Sequence, residues 1–284
     1  MNRGPIRWLR EHGVMIFAIL ALAYMLIPIA VIALFSFNDP TGRYNFEWVG
    51  FTTEYWQHPF KITELTDALV VSIRLAFFTA LGATALGTLI ALALVRYQFF
   101  GRRATNLLIV IPMATPEVVI GASLLSFFLT LGIFDLGFTT LLIAHIMFCI
   151  SFVVVVVRSR LIGFDRRLEE AAADLGSKPL TTFRTVTLPL LAPGVAAAGM
   201  LSFALSIDDF VISNFNSGAE VTFPLYIFGA NQRGIPVEVN VIATMLFTVT
   251  VIAMLAVIIQ QRRAEKMADK RADDAKTSAV SLPI

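Results

Sequence analysis

The sequence predicts an all-α polytopic membrane protein with six transmembrane helices and both termini on one side. Three observations carry that prediction. The 284 residues are 57% hydrophobic and only 15% charged, against about 45–50% and about 25% in soluble domains. The uncharged residues gather into six apolar runs, most of them close to the roughly 20 residues needed to cross a hydrocarbon core of about 30 Å. The basic residues fall almost entirely on alternate connections between those runs. Charge also excludes other classes. Twenty-two Lys and Arg against 20 Asp and Glu leave a net charge of +2, without the concentrated basic face of a nucleic-acid binder. A single Cys rules out an internal disulfide, and with three His it argues against a structural metal site.

The first run, residues 14–35, has 22 uncharged residues after Arg3, Arg7 and Arg10. It is longer than the apolar core of a signal peptide, and Phe35-Ser36-Phe37-Asn38-Asp39 is a poor small-residue cleavage site, so it reads as a retained helix. The second, residues 75–95, lies between Arg74 and Arg96. The third, about 105–131, is interrupted by Pro112, Pro116 and Glu117, while the fourth, 138–157, holds His145 and Cys149. The fifth, about 190–207, ends at Asp208-Asp209, and the sixth covers 239–259. Between the first two runs, segment 36–74 carries Trp48, Tyr55 and Trp56, which suit an interfacial segment with aromatic anchors. Segment 208–238 is broken by glycine and proline, and the tail from residue 261 mixes charges, the composition of a frayed helix passing into disorder.

Eighteen of the 22 basic residues lie before the first run, after the second, after the fourth and after the sixth. Only Arg43, Lys61, Arg74 and Arg233 lie on the opposite set of loops. Since short cytoplasmic loops carry the Lys/Arg excess, both termini are expected in the cytoplasm.

Between the fourth and fifth runs, residues 165–175 form a strong helix sequence with an apolar stripe at Leu168, Ala171 or Ala172, and Leu175. Gly176 stands where a left-handed residue would stop that helix. Ser177 is expected to cap a second helix, with Pro179 in its first turn, running to Leu188-Pro189. An isolated helix of about ten residues is marginal in water, so something must cover the stripe. That cover is either the chain's own membrane domain or a helix-accepting groove on a separate subunit.

The pattern Glu170-Ala171-Ala172-x3-Gly176-x9-Val186-x-Leu188-Pro189 resembles the EAA motif of ABC importer permeases, departing only in Val186 for Ile. Segments 204–213 and 215–244, with Thr115-Pro116-Glu117-Val118, are similar to the spermidine/putrescine permeases of the PotC/PotI type. The resemblance implies a type I ABC importer permease fold in a bacterial inner membrane. The expected division is a cytoplasmic segment 1–13, a permease domain 14–260 with its coupling loop at about 158–189, and a cytoplasmic tail 261–284. It further implies that Glu170, Ala171, Ala172 and Gly176, with Leu188 and Pro189, dock on an ATP-hydrolysing subunit. The implied partners are two such ATPases, a second homologous permease, an extracytoplasmic binding protein and membrane lipid, with no nucleic acid. The chain has no Walker lysine motif. It is therefore expected to be no enzyme and to hold no cofactor, with ATP and magnesium residing in the partner ATPase.

Ionised groups in hydrocarbon are costly and usually face a water-filled path or a partner. Glu117 lies 14 residues past Arg103, about 21 Å along a continuous helix, which puts it well inside the bilayer. Asp208 and Asp209 repel one another, and a helix C-terminus disfavours them further. Arg233 is the only basic residue in the following loop. A polyamine would supply the missing cation, with carboxylates or aromatic faces holding its ammonium groups. Phe210, Phe215, Tyr226 and Trp56 are candidate faces, with Glu238 and Asn240 as weaker candidates for the path. Asp208 is favoured for the path and Asp209 for bonding the loop. His145 reads as an interhelical hydrogen bonder and Cys149 as core. The rival readings are an ABC permease for ferric ion or a small anion, an ion-coupled secondary transporter using Glu117 and His145, and a membrane enzyme. Inverted repeats and a nucleophile–base pair, the marks of the last two, are not evident.

Overall fold

A computed structural model of the chain describes residues 5–132, 135–252, 254, 255 and 259, with side chains from residue 12. The helices are α1 (Pro5–Phe35), α2 (Glu54–Gln57), α3 (Thr63–Arg96), α4 (Arg102–Ala114), α5 (Glu117–Leu131) and α6 (Phe138–Ile162). After them come α7 (Arg167–Asp174), α8 (Pro179–Thr182), a π turn (Phe183–Thr187), α9 (Leu188–Ile207), α10 (Val211–Asn216), α11 (Phe223–Arg233) and α12 (Val237–Ile252). The only strand-like pairing among the described residues is an isolated bridge between Asn38 and Phe51. The tail 261–284 lies outside the described residues.

Each predicted run meets a helix, with differences that have physical causes. Within the described residues, α1, α3, α6 and the segment Pro179–Ile207 are long and apolar enough to cross a membrane. The second and fourth are longer than their uncharged cores: α3 begins at Thr63 and α6 continues to Ile162. Charged residues at a span's ends stay helical because only the middle must be free of charge. The third run is two helices, bent by 112° between α4 and α5. The residue before a proline is pushed out of the helical region. Thr115 is extended (φ −86°, ψ 135°), as is Pro116 (φ −57°, ψ 133°). The depth of Glu117 worked from a continuous helix therefore does not hold. The sixth run is described as α12 only to Ile252.

The chain divides into two compact units, Met1–Ile62 with Gly234–Ile284 and Thr63–Arg233. In the first, none of the most apolar stretch of α1 is buried within the chain. The loop after it is ordered by Asn38, whose amide donates to Asn45 Oδ1 and the Glu47 carbonyl, both at 2.6 Å. Asn45 in turn donates to the Phe35 carbonyl at 2.8 Å, a second donor there beside the Asn38 N–H. Trp56 stacks on Phe37 with ring centroids 5.1 Å apart, so it packs the loop.

In the second unit α3, α6 and α9 form the centre. Small residues line their shared core: Ala83, Ala91, Ala144 and Ala198 are all buried in it. In lipid there is little hydrophobic force between helices, so close backbone approach through small residues supplies the packing. At Gly87 an added Cβ would lie 2.5 Å from Val153 Cγ1. Cys149 is buried in this core.

Candidate functional site

Two places gather the residues singled out above. The first is the connection between α6 and α9. Helix α7 is closed by a Schellman turn: the Ser177 N–H donates to the Ala172 carbonyl at 3.0 Å and the Gly176 N–H to Ala173 at 2.8 Å. Gly176 has φ +80° with open space around its Cα. Glu170 and Ala171 are exposed, Ala172 is half-buried, and Leu175 stands 89% exposed beyond the helix. The second helix starts differently from expectation. Lys178, not Ser177, is the residue before α8, and no side chain caps it. Ser177 is instead engaged sideways, its hydroxyl accepting from Thr182 at 3.0 Å.

Leu188 and Pro189 open α9 directly after the π turn, where the Leu188 N–H reaches back five residues to the Phe183 carbonyl. Proline has no N–H to give the carbonyl four residues earlier, and a π turn is the local adjustment that follows. One side chain near the motif had no signal in the sequence. Glu169 accepts hydrogen bonds from Arg96, the last residue of α3, and from the buried Thr187.

The second place lies around the junction of α9 and α10. Asp208 ends α9 and is exposed, whereas Asp209 is buried. The Asp209 carboxylate accepts the Ser213 N–H at 2.9 Å and the Ile212 N–H at 3.4 Å, which places it at the start of α10. The charge therefore sits at a favourable helix end, not only at the unfavourable end of α9. His145 of α6 lies beside it. His145 Nδ1 is 2.8 Å from Ser206 Oγ, and Nε2 is 3.1 Å from Ser213 Oγ and 3.5 Å from Asp209 Oδ2. A neutral imidazole donates from one nitrogen and accepts at the other, so these groups form a buried polar network joining α6, α9 and α10.

Glu117, exposed at the start of α5, lies within Coulombic reach of both Asp209 and Asp208. Two carboxylates at the α9–α10 junction thus act electrostatically on a third from a distant segment. Phe215 packs on Gly121, one turn beyond Glu117, where an added Cβ would lie 2.7 Å from its ring. The Asn216 amide donates to the Gly121 carbonyl at 3.2 Å, fastening α10 to α5. Phe210 sits against Phe228, ring centroids 4.7 Å apart, and Tyr226 is half-buried in α11. Glu238 and Asn240 belong to the other unit, as does Trp56. Among the described residues no group of His, Cys, Asp and Glu could hold a metal ion.

Residues 83–268 match the family described as the binding-protein-dependent transport system inner membrane component. The chain is 40% identical over 246 residues to the spermidine/putrescine transport system permease protein PotC of Haemophilus influenzae, covering 86% of this chain and 93% of that one. It is 33% identical over 273 residues to the putrescine transport system permease protein PotI of Escherichia coli, covering 94% and 96%. Among solved structures it resembles a chain of a bacterial ABC transporter that imports alginate, with a TM-score of 0.64 at 19% identity, covering 90% and 97%. At that identity the likeness speaks to the fold.

Proposed function

The chain belongs to the family of binding-protein-dependent transport system inner membrane components, and from that premise we propose that it conducts a polyamine, spermidine or putrescine, into the cytoplasm. It is a multi-pass membrane permease of an ABC importer, a transport subunit and not an enzyme. The observation that supports the cargo is the set of Glu117, Asp208 and Asp209 in a chain 40% identical to a spermidine/putrescine permease. A multiply protonated, linear amine neutralises such a set, whereas a small anion is repelled by it.

In this reading Asp208 and Glu117 face the cargo, Asp209 is spent on capping α10 and bonding His145, and Phe210, Phe215 and Tyr226 border the route. The loop charges orient both termini into the cytoplasm, so α7 projects there. The working assembly holds two ATPases, a second permease related to this one, and an extracytoplasmic binding protein. ATP and magnesium stay in the ATPases. Their closure displaces the Glu170–Gly176 turn and switches the membrane helices between outward and inward access.

The test is ATP-dependent uptake of labelled spermidine and putrescine into proteoliposomes holding the assembly. The Asp208→Asn, Glu117→Gln double variant should lose uptake by about tenfold or more, with normal insertion. Unchanged polyamine uptake in that variant, or transport by this chain alone, refutes the reading.

A further inference from the structure

The residue before the EAA motif, Glu169, ties α7 to its neighbours. Helix α7 has eight residues, too few to keep its place by intrinsic stability, and no residue of it is fully buried. Yet its first turn is anchored at Glu169. That carboxylate is only 17% exposed, and it accepts from Arg96 at the end of α3 and from Thr187 at the end of the π turn. Thr187 is fully buried. One side chain therefore bridges three elements: the projecting helix, the last turn of a membrane span, and the point where another span begins with an irregular turn. The Arg96–Glu169 bond is charge-assisted, and single π turns within helices are frequent at functional sites.

We propose that Glu169 is the positioning residue that transmits displacement of α7 to α3 and α9. Without it, α7 keeps its packing against α8 and the π turn but loses the side-chain link to α3 that Arg96 makes. The inference rests on the transport reading above, but its structural half is separable from it.

Two measurements test it on the full-length chain in a Cys149→Ser background. Spin labels at Tyr97 and Asp174, both exposed, report the distance between α3 and α7 for the chain in nanodiscs. ATP hydrolysed per molecule imported is measured in the reconstituted assembly. Glu169→Gln should broaden the distance distribution and lower import per ATP by about fivefold, while ATPase subunits still co-purify at the wild-type ratio. Arg96→Gln should do the same. The double variant should be no worse than either single one, because both cut one linkage. The exchange Glu169→Arg with Arg96→Glu should recover part of the loss. The proposal is overturned by an unchanged distance distribution in Glu169→Gln, by wild-type import per ATP, or by loss of ATPase co-purification, which would make Glu169 a docking contact. Were the wild-type assembly to show no ATP-driven import, the transport reading would fall, and the distance measurement would still decide the tether.

Discussion

Replacing Gly176 should uncouple ATP hydrolysis from import without harming the membrane domain. Its φ of +80° lies in the left-handed region, and nothing stands within 4 Å of where a Cβ would be. Steric clash with neighbours is therefore absent, and the whole cost is backbone conformation. A residue with a Cβ loses about 1–2 kcal/mol there, and a β-branched one more. That strain is relieved by opening the turn, which sacrifices the Ser177 and Gly176 hydrogen bonds to Ala172 and Ala173. One to two kcal/mol corresponds to a population change of about 5–30-fold, so Gly176→Ala should lower import per ATP within that range. Gly176→Val should do worse, and Gly176→Asn should sit nearest wild type, since Asn tolerates the left-handed region.

Gly101 provides a matched control, with φ +89° and equally open surroundings, but at the start of α4. Gly101→Ala carries the same local strain away from α7 and should leave the import-per-ATP ratio unchanged. The assay is the proteoliposome measurement, normalised to reconstituted protein. Wild-type coupling in Gly176→Val, or equal loss in Gly101→Ala, would refute the reasoning.

Two further outcomes follow from the packing. Gly87→Ala should lower thermal stability in detergent, because its Cβ would lie 2.5 Å from Val153 Cγ1; overpacking of this kind costs about 1–3 kcal/mol. Adding Val153→Ala should recover most of that loss, and no recovery would mean that the clash is not the cause. His145→Leu should destabilise the chain by about 1–3 kcal/mol, since Ser206 and Ser213 each lose a buried partner. The expected reading is a lowered melting temperature with polyamine selectivity unchanged; an altered selectivity with full stability would place His145 on the path instead.

The structure is nearly all helical among its described residues, as the composition required. The bilayer is a solvent whose thickness sets a minimum apolar length, so each span is written in one contiguous stretch. The stop after α7 was equally legible, because a Schellman turn and its glycine are chemistry of neighbouring residues. The break at Thr115-Pro116 could be seen as a proline interruption, but its 112° angle could not. That angle relates two helices packed on different partners, α4 on α6 and α5 on α10, and no local pattern encodes it.

What the amino-acid order determined by itself was therefore the solvent, the apolar runs and the motif: properties of segments about 20 residues long or shorter. Tertiary structure alone decided what the charged and polar groups do. Asp209 sits between the end of one helix and the start of another, and its imidazole neighbour lies 64 positions earlier in the chain. Glu169 draws one partner from 73 residues away and another from 18. Hydrophobic length is a sum over consecutive residues, whereas a buried charge is satisfied by whatever polar atom the packing of distant helices brings within about 3 Å.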